Sequence, residues 1–246
     1  MQNQQKIKEQ LFYENLYNEA YEEIKEFEIA RDKTKDEILK LIGYAIIIYG
    51  SKIQSIKAKK YITTSVISML IKDAEEVEEF LEKQLMSNAD KICEFYGYKL
   101  SKKEKQKIVN RLFVGLTYKD RKRQDDEVLK KKTHKLLFAL ILGKITLSKT
   151  QHNKKAFDKL MEKEYKTYKG KIAGILISEI TRVNSDITLS NFRNKRVQYC
   201  SVLEKNTCAD CRDMDGEIFR VEEAYDLIPQ HRNCKCYFVS IEGDEI

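Results

Sequence analysis

Cysteine and histidine residues concentrate near the end of the chain in a spacing that suits metal binding. Cys208 and Cys211 form a C-x-x-C, and His231, Cys234 and Cys236 form an H-x-x-C-x-C about twenty residues later. These five residues, called the Cys/His cluster below, are more than half of the 6 cysteines and 3 histidines of the chain. Zinc in proteins prefers four thiolate or imidazole ligands arranged as a tetrahedron. The spacing therefore predicts a bound Zn²⁺ ion.

Three of the ligands are Cys208, Cys211 and His231, and one or both of Cys234 and Cys236 complete the site. A C-x-C in an extended strand points its two side chains to opposite faces, so both sulfurs reach one metal only where the backbone bends. Cys236 is favoured as the fourth ligand, with Cys234 buried beside the site. Five candidates for four positions favour a closed, structural zinc site, because catalytic zinc keeps one position open.

Disulfide bonds are the alternative use of these cysteines, and they require an oxidising compartment. The first ten residues are polar and lack the apolar stretch of a signal peptide. A metal site is therefore favoured over disulfides. The apolar runs are also too short for a membrane anchor, and the run at residues 45–49 is followed at once by Gly50.

The fold predicted around the cluster is mainly α, with a small β-rich C-terminal part (α+β). Asp215-Gly216 predicts a turn between the C-x-x-C and the H-x-x-C-x-C. The residue patterns at 218–219, 196–201 and 237–241 predict strands. Upstream, apolar residues recur at three- and four-residue steps. These steps predict helices at residues 5–31, 36–49, 52–71, 73–86, 101–116, 128–143, 148–170 and 171–192. We expect a helical body at 1–170 that makes the assembly contacts, followed by a region at 171–246 that holds one helix and the zinc-binding module.

The net charge of +7 is unevenly distributed. Residues 200–246 hold five Lys/Arg against eleven Asp/Glu, whereas residues 99–135 hold fourteen against five. A basic surface favours an acidic partner, with nucleic acid first, although a solvated helix surface has the same composition. The candidate nucleic-acid contacts are the residues at the densest points: Lys102, Lys103, Arg121, Lys122, Arg123, Lys130, Lys131 and Lys132.

Four C-terminal segments and three residues of the preceding helix form a combined pattern: Val197–Ser201, Asn206–Cys211, Met214–Phe219, Pro229–Cys236, Ser178-Glu179 and Arg182. Together they resemble the bacteriophage head morphogenesis proteins, the Mu F-like minor head (minor capsid) proteins of tailed phages. The resemblance covers about residues 172–241 and departs from the family pattern at Arg232, where the family has proline, and at Lys235, where it has arginine.

The resemblance implies a minor structural protein that is built into the procapsid near the portal and is not an enzyme. The implied partners are the portal protein and other head or scaffolding proteins, with double-stranded DNA, contacted without sequence preference, as a further candidate. The implied location is the head interior of the virion, and the host cytoplasm during assembly.

Two other classes of function compete with this one. A zinc-dependent nuclease or hydrolase is disfavoured by the closed ligand set and by the lack of an H-E-x-x-H motif. A zinc-containing DNA-binding regulator would place positive charge on its zinc module, but here that segment is acidic.

Overall fold

The computed structural model describes residues 2–50, 53–142, 153–192, 196–202 and 207–241. It is mainly helical with a small C-terminal sheet, which confirms the predicted fold class. The helices are α1 (Gln2–Tyr49), α2 (Ile56–Tyr96), α3 (Lys102–Val109), α4 (Tyr118–Ile141), α5 (Asn153–Asn191), α6 (Ala209–Asp213) and α7 (Val221–Ala224). The strands are β1 (Arg196–Cys200), β2 (Ile218–Arg220) and β3 (Tyr237–Ile241).

Helix α1 is continuous where the sequence predicted a break between residues 31 and 36, so that prediction was wrong. Arg31 and Lys35 occupy the buried stripe of the helix. Arg31 pairs with Asp73 and Glu76, and Lys35 pairs with Glu162 at 2.5 Å. Because these buried charges are paired, the stripe continues through them and the helix does not end.

The predicted breaks near Asp73 and Gly170 were also wrong, since α2 and α5 run through both positions. Asp73 accepts a hydrogen bond from Arg31 and does not begin a new helix. The predicted end at Gly143 and start at Ser148 lie outside the described residues.

Helix α3 begins as predicted but is shorter. Ser101 and Glu104 form the predicted capping box. The helix ends at Val109, and Val114 and Gly115 then adopt positive φ angles of 51° and 75° in a turn closed by Phe113 and Leu116. The apolar spacing of residues 101–116 therefore predicted a helix across a region that contains a turn.

The chain forms two compact units, each assembled from separate segments. Unit 1 contains residues 1–24, 81–118 and 173–246, and unit 2 contains residues 25–80 and 119–172. Helices α1, α2 and α5 therefore contribute residues to both units. The functional division at residue 170 remains a prediction.

Unit 1 is organised around the second half of α5. Every residue from Gly174 to Leu189 is buried, including Glu179 and Arg182. The sheet has the order β2-β1-β3 with antiparallel pairing, so that Val197 of β1 lies between Phe219 and Ser240. Its core also contains Cys211, Cys234 and Cys236, so three residues of the Cys/His cluster belong to the hydrophobic packing of this unit, whereas Cys208 is half-buried and His231 is exposed.

Unit 2 is built from long helices whose buried residues recur at three- and four-residue steps. On α2 the step is regular, with Ala58, Ile62, Val66 and Leu70 all buried. Within the described part of the chain, no helix is both long enough and apolar enough to cross a lipid bilayer.

Candidate metal centre

Two short structural elements present the Cys/His cluster. Cys208 is the N-cap of α6, and its sulfur accepts a hydrogen bond from the backbone N–H of Cys211 at 3.3 Å. His231, Cys234 and Cys236 lie in the irregular segment before β3, where Asn233 has a positive φ of 66°. Because neither Cys234 nor Cys236 belongs to a strand, the alternation of strand side chains does not separate their sulfurs.

The ligand atoms of the cluster form two groups that share Cys211. One group is Cys208, Cys211 and His231, and the other is Cys211, Cys234 and Cys236, each with its ligand atoms within 4.8 Å of one another. The sulfur of Cys211 lies 3.5 Å from Nε2 of His231 and 4.0 Å from the sulfur of Cys234. In a tetrahedral zinc site the S···N and S···S edges are about 3.5 and 3.8 Å. Each of these two distances matches one such edge, whereas the five ligand atoms do not all lie within 4.8 Å of one another.

The imidazole of His231 is oriented for coordination through Nε2. Its Nδ1 lies 2.8 Å from the carbonyl oxygen of Arg232, to which a protonated Nδ1 donates. This hydrogen bond is the main cause that raises the pKa of His231 above its usual value. A carbonyl partner for the second ring nitrogen is the usual arrangement of a metal-binding histidine.

The thiols of the cluster have unequal proton affinities. The hydrogen bond from Cys236 lowers the pKa of Cys234 to about 6, and the same interaction raises the pKa of Cys236 well above its usual range. Burial raises the pKa of Cys211 to about 12, whereas the N–H of Cys211 lowers that of Cys208. Zinc binds thiolates and displaces their protons. The clustered thiols thus have the chemistry of a site that a cation completes.

Helix α5 hydrogen-bonds to the backbone of residues 231–236, the segment that carries His231, Cys234 and Cys236. Thr181 donates a hydrogen bond to the carbonyl oxygen of Cys234, and its hydroxyl also contacts that of Tyr17 at 2.7 Å. The N–H of Asn233 donates to Ser178 at 3.1 Å, and Ser178 donates to the carbonyl of Gly174 at 2.8 Å. These contacts hold the backbone between His231 and Cys236 in place.

Tyr199 supports the cluster from the sheet. It is fully buried on β1, and its hydroxyl donates to the sulfur of Cys211 at 3.5 Å. Sequence analysis did not assign a role to Tyr199 or Thr181. The signal for Thr181 was its place between Glu179 and Arg182, within the helix that carried part of the resemblance.

A buried ion cluster lies on the same helix. Arg182 donates to Glu179 at 2.8 Å and to Asp186 at 2.7 Å. It also donates to the carbonyl oxygens of Ile108 and Val109 at 3.0 and 2.9 Å, in the last turn of α3, where carbonyl groups lack partners from the next helical turn. Arg182 therefore fixes α3 to α5 inside unit 1.

The candidate nucleic-acid residues are divided between the two units. Lys102 and Lys103 are exposed on α3 in unit 1, and the other six lie on α4 in unit 2. Lys122 is buried, pairs with Asp126 at 2.8 Å and donates to the carbonyl oxygen of Ala74. Its ammonium group is therefore buried and paired inside unit 2.

The remaining residues of α4 differ in exposure and pairing. Arg121 and Lys130 are half-buried, and Lys130 pairs with Glu127 at 3.3 Å. Lys132 is exposed but pairs with Glu164 at 2.6 Å. Arg123 and Lys131 are exposed, two turns apart, and neither forms an ion pair within the described residues. His134 is exposed on α4, and His152 lies outside the described residues.

The comparison with known families identifies the segment that contains the cluster. Residues 139–239 match the family described as Phage Mu protein F like protein. The match confirms the resemblance seen in the motifs, and it begins before residue 172, where that resemblance started. It spans α5, β1, β2, the first three residues of β3 and all five residues of the Cys/His cluster. Searches of curated proteins and of solved structures found no significant match.

Proposed function

We propose that the protein is a minor structural protein of a tailed-phage head that acts in procapsid assembly near the portal. The observation that carries this proposal is the Mu F-like match over a segment whose metal-ligand residues gather around one buried sulfur, Cys211. Expressing the chain with the portal, scaffolding and major head proteins of its own phage tests it. We expect the chain to sediment with procapsids, and to be lost from them when the portal is omitted. Procapsids that exclude the chain while they contain the portal contradict the proposal.

The Cys/His cluster holds one zinc ion in this proposal. Cys208, Cys211 and His231 supply three ligands. Cys234 is the better fourth ligand than Cys236, because its sulfur lies one tetrahedral edge from that of Cys211 and it interacts electrostatically with His231. The main electrostatic partners of Cys236 are Cys234, Tyr199 and Cys211, and His231 is not among them. This assignment departs from the preference for Cys236 that the strand argument gave.

Replacing the two cysteines separately tests the choice of the fourth ligand. Cys234→Ser is expected to lower the zinc content of the purified protein, or to weaken zinc by at least about tenfold in competition with a chelator. Cys236→Ser is the matched control and is expected to retain zinc. The opposite result assigns Cys236. Wild-type protein that is folded and free of zinc after reducing purification contradicts the zinc proposal itself.

The zinc has a structural role, and the protein is not an enzyme. Four protein ligands leave no position for water, and thiolate ligands reduce the Lewis acidity that a hydrolase needs. The alternative of a zinc-dependent nuclease is tested by incubating zinc-loaded protein with double- and single-stranded DNA. Cleavage that disappears in Cys211→Ser supports the nuclease and overturns the structural role.

The exposed face of α4 is the proposed site of contact with packaged DNA. Arg123 and Lys131 are exposed there without ion-pair partners among the described residues. Contacts to phosphate release counterions, so the plot of log K against log salt has a negative slope, and each lost contact reduces its magnitude by about one. The double variant Arg123→Gln, Lys131→Gln is expected to reduce the magnitude of that slope by about two. Lys130→Gln with Lys132→Gln is the control, since both lysines are already paired within the chain.

A further inference from the structure

Exposed apolar side chains concentrate where α1 ends and α2 begins. Tyr44, Ile47, Ile48 and Tyr49 are exposed at the end of α1, and Ile56 and Tyr61 are exposed at the start of α2. Ile47 and Ile56 are the most exposed of them, at 80% and 81%. We call residues 44–50 and 53–61 the apolar turn. Tyr44, Ile47 and Ile48 lie three and four residues apart, so they share one face of the helix.

The apolar turn is framed by positive charge. The sequence from residue 40 to residue 61 contains five lysines and no acidic residue. Four of them are described, Lys40, Lys57, Lys59 and Lys60, and none makes an ion pair with another described residue. Asp36, one turn before Lys40, pairs with Lys35 at 3.7 Å. This composition resembles a protein interface with an apolar centre and a charged rim, and it favours a partner with an acidic rim.

A surface of the complementary kind lies on unit 1. Residues 209–226 contain seven Asp/Glu and two Arg, and all nine of these side chains are exposed. Ile218 is 53% exposed on β2, an edge strand of the sheet, and Tyr225 is 39% exposed. Glu217 and Glu222 flank them and make no ion pair with another described residue. We call residues 209–226 the acidic face.

We infer that the apolar turn of one copy of the chain binds the acidic face of a second copy. Contact between two apolar turns would bring the lysines of both copies together, and like charges oppose such a symmetric dimer. DNA would pair with the lysines but would leave the isoleucines without an apolar partner. The acidic face supplies both exposed apolar side chains, Ile218 and Tyr225, and the opposite charge.

This contact is heterologous, since two different surfaces meet. Such a contact joins copies head to tail, and it produces a ring if the rotation between neighbours closes and a filament if it does not. The inference does not depend on the zinc ligand choice or on the portal. Its experiment uses only the full-length protein.

Light scattering coupled to size-exclusion chromatography, over a range of protein concentrations, measures the self-association. We expect concentration-dependent oligomers at low salt and fewer at high salt. Ile47→Glu with Ile56→Glu is expected to weaken association by at least about tenfold. Phe138→Glu is the matched control, because Phe138 is 58% exposed in unit 2 but lies outside the apolar turn. The Phe138→Glu protein is expected to associate as strongly as wild type.

Mixing two variants separates the head-to-tail contact from other arrangements. Glu217→Lys with Glu222→Lys disables the acidic face, and is expected to be monomeric like the Ile47→Glu, Ile56→Glu variant. Each variant keeps one intact surface, so an equimolar mixture is expected to form a 1:1 heterodimer that grows no further. Circular dichroism and zinc content confirm that both variants fold. A heterodimer in the mixture supports the inference.

Three results overturn it. Wild-type protein that is monomeric at all concentrations shows that the apolar turn serves another partner. An acidic-face variant that still dimerises, while the apolar-turn variant does not, shows a symmetric contact between apolar turns. Two folded monomeric variants that form no heterodimer when mixed show that the two surfaces do not meet.

Discussion

Unit 1 and unit 2 bury their polar groups in different ways. In unit 1, hydroxyl groups, a buried arginine and clustered thiols connect α5 to segments that are distant in the sequence. In unit 2, the buried stripes of α1 and α2 are mostly apolar, and their charges, such as Arg31 and Asp73, pair with each other. Directional contacts tolerate fewer substitutions than apolar packing does. We therefore expect unit 1 to be the more sensitive of the two to single-atom changes.

Replacing the sulfur shared by the two ligand groups has the largest expected effect. Structural zinc contributes about 10–16 kcal/mol in small zinc-binding peptides, as much as the stability of a whole domain. Cys211→Ser should therefore remove zinc and abolish hydrogen-exchange protection in β1, β2 and β3. Protection in the unit 2 part of α2, residues 56–80, should persist. Cys93→Ser is the control, since Cys93 belongs to neither ligand group.

The outcome of that experiment also tests the comparison itself. Loss of protection in residues 56–80 along with the sheet would show that the two units unfold together. Full protection of the sheet after loss of zinc would show that the packing around Tyr199 and Phe238 is sufficient without metal.

Removing the buried guanidinium of Arg182 is the next largest change. Arg182→Ala leaves Glu179 and Asp186 buried without their main cation, and removes the side-chain donor to the carbonyls of Ile108 and Val109. Breaking a buried ion pair on one side costs about 3–5 kcal/mol. The midpoint of urea unfolding, followed by circular dichroism, measures this loss.

Arg111 provides the matched control for Arg182. It also pairs with Asp186, but its side chain is 35% exposed. Arg111→Ala should cost only about 1 kcal/mol, because water replaces the lost partner. Equal losses of stability in the two variants would show that the buried carboxylates Glu179 and Asp186 do not depend specifically on Arg182.

A smaller change removes one hydroxyl beneath the ligand segment. Thr181→Val deletes the donor to the carbonyl of Cys234 and the contact with Tyr17. An unsatisfied buried carbonyl costs about 1–3 kcal/mol. We expect lower thermal stability and faster release of zinc to a chelator. Thr167→Val should change neither, since Thr167 is exposed and bonds only within its own helix in unit 2. Unchanged zinc release in Thr181→Val would show that α5 does not position the ligands.

The sequence predicted those features that depend on local spacing. The ligand pairs of the Cys/His cluster, the three strands and the capping box at Ser101 each follow from residues that are near neighbours in the chain. The long helices were predicted as fragments because Arg31, Asp73 and Gly170 look like interruptions in the sequence. Arg31 and Asp73 pair with each other between α1 and α2, so spacing along one helix could not show that either helix continues.

The same reason explains the supporting residues that the sequence did not indicate. Tyr199 and Thr181 gain their roles from contacts with Cys211 and Cys234, which lie 12 and 53 residues away. Lys122 belongs to a dense basic run, but it lies on the buried stripe of α4 with Asp125 and Leu129. Charge density alone therefore does not distinguish a buried lysine from a surface contact.

Two glycines on α5, one in each unit, give the smallest expected effects and the most direct comparison. A Cβ at Gly170 meets nothing within 4 Å, whereas a Cβ at Gly174 would lie 2.6 Å from Cδ of Arg232 and 3.3 Å from Oδ1 of Asn233. Alanine is favoured over glycine within a helix by about 1 kcal/mol. Gly170→Ala should therefore raise the free energy of unfolding by about 0.5–1 kcal/mol.

Gly174→Ala gains the same helical preference but must displace the segment that carries His231 and Cys234. The side chain of Arg232 is flexible and can move. Asn233 is less free, since its N–H is bonded to Ser178, one turn further along the helix. We expect this displacement to cancel or outweigh the helical preference for alanine. The free energies of urea unfolding of the two variants should therefore differ by at least about 1 kcal/mol. Only Gly174→Ala should also accelerate the release of zinc. Equal stabilisation by the two alanines, with zinc release unchanged, would show that the ligand segment does not depend on its close approach to α5.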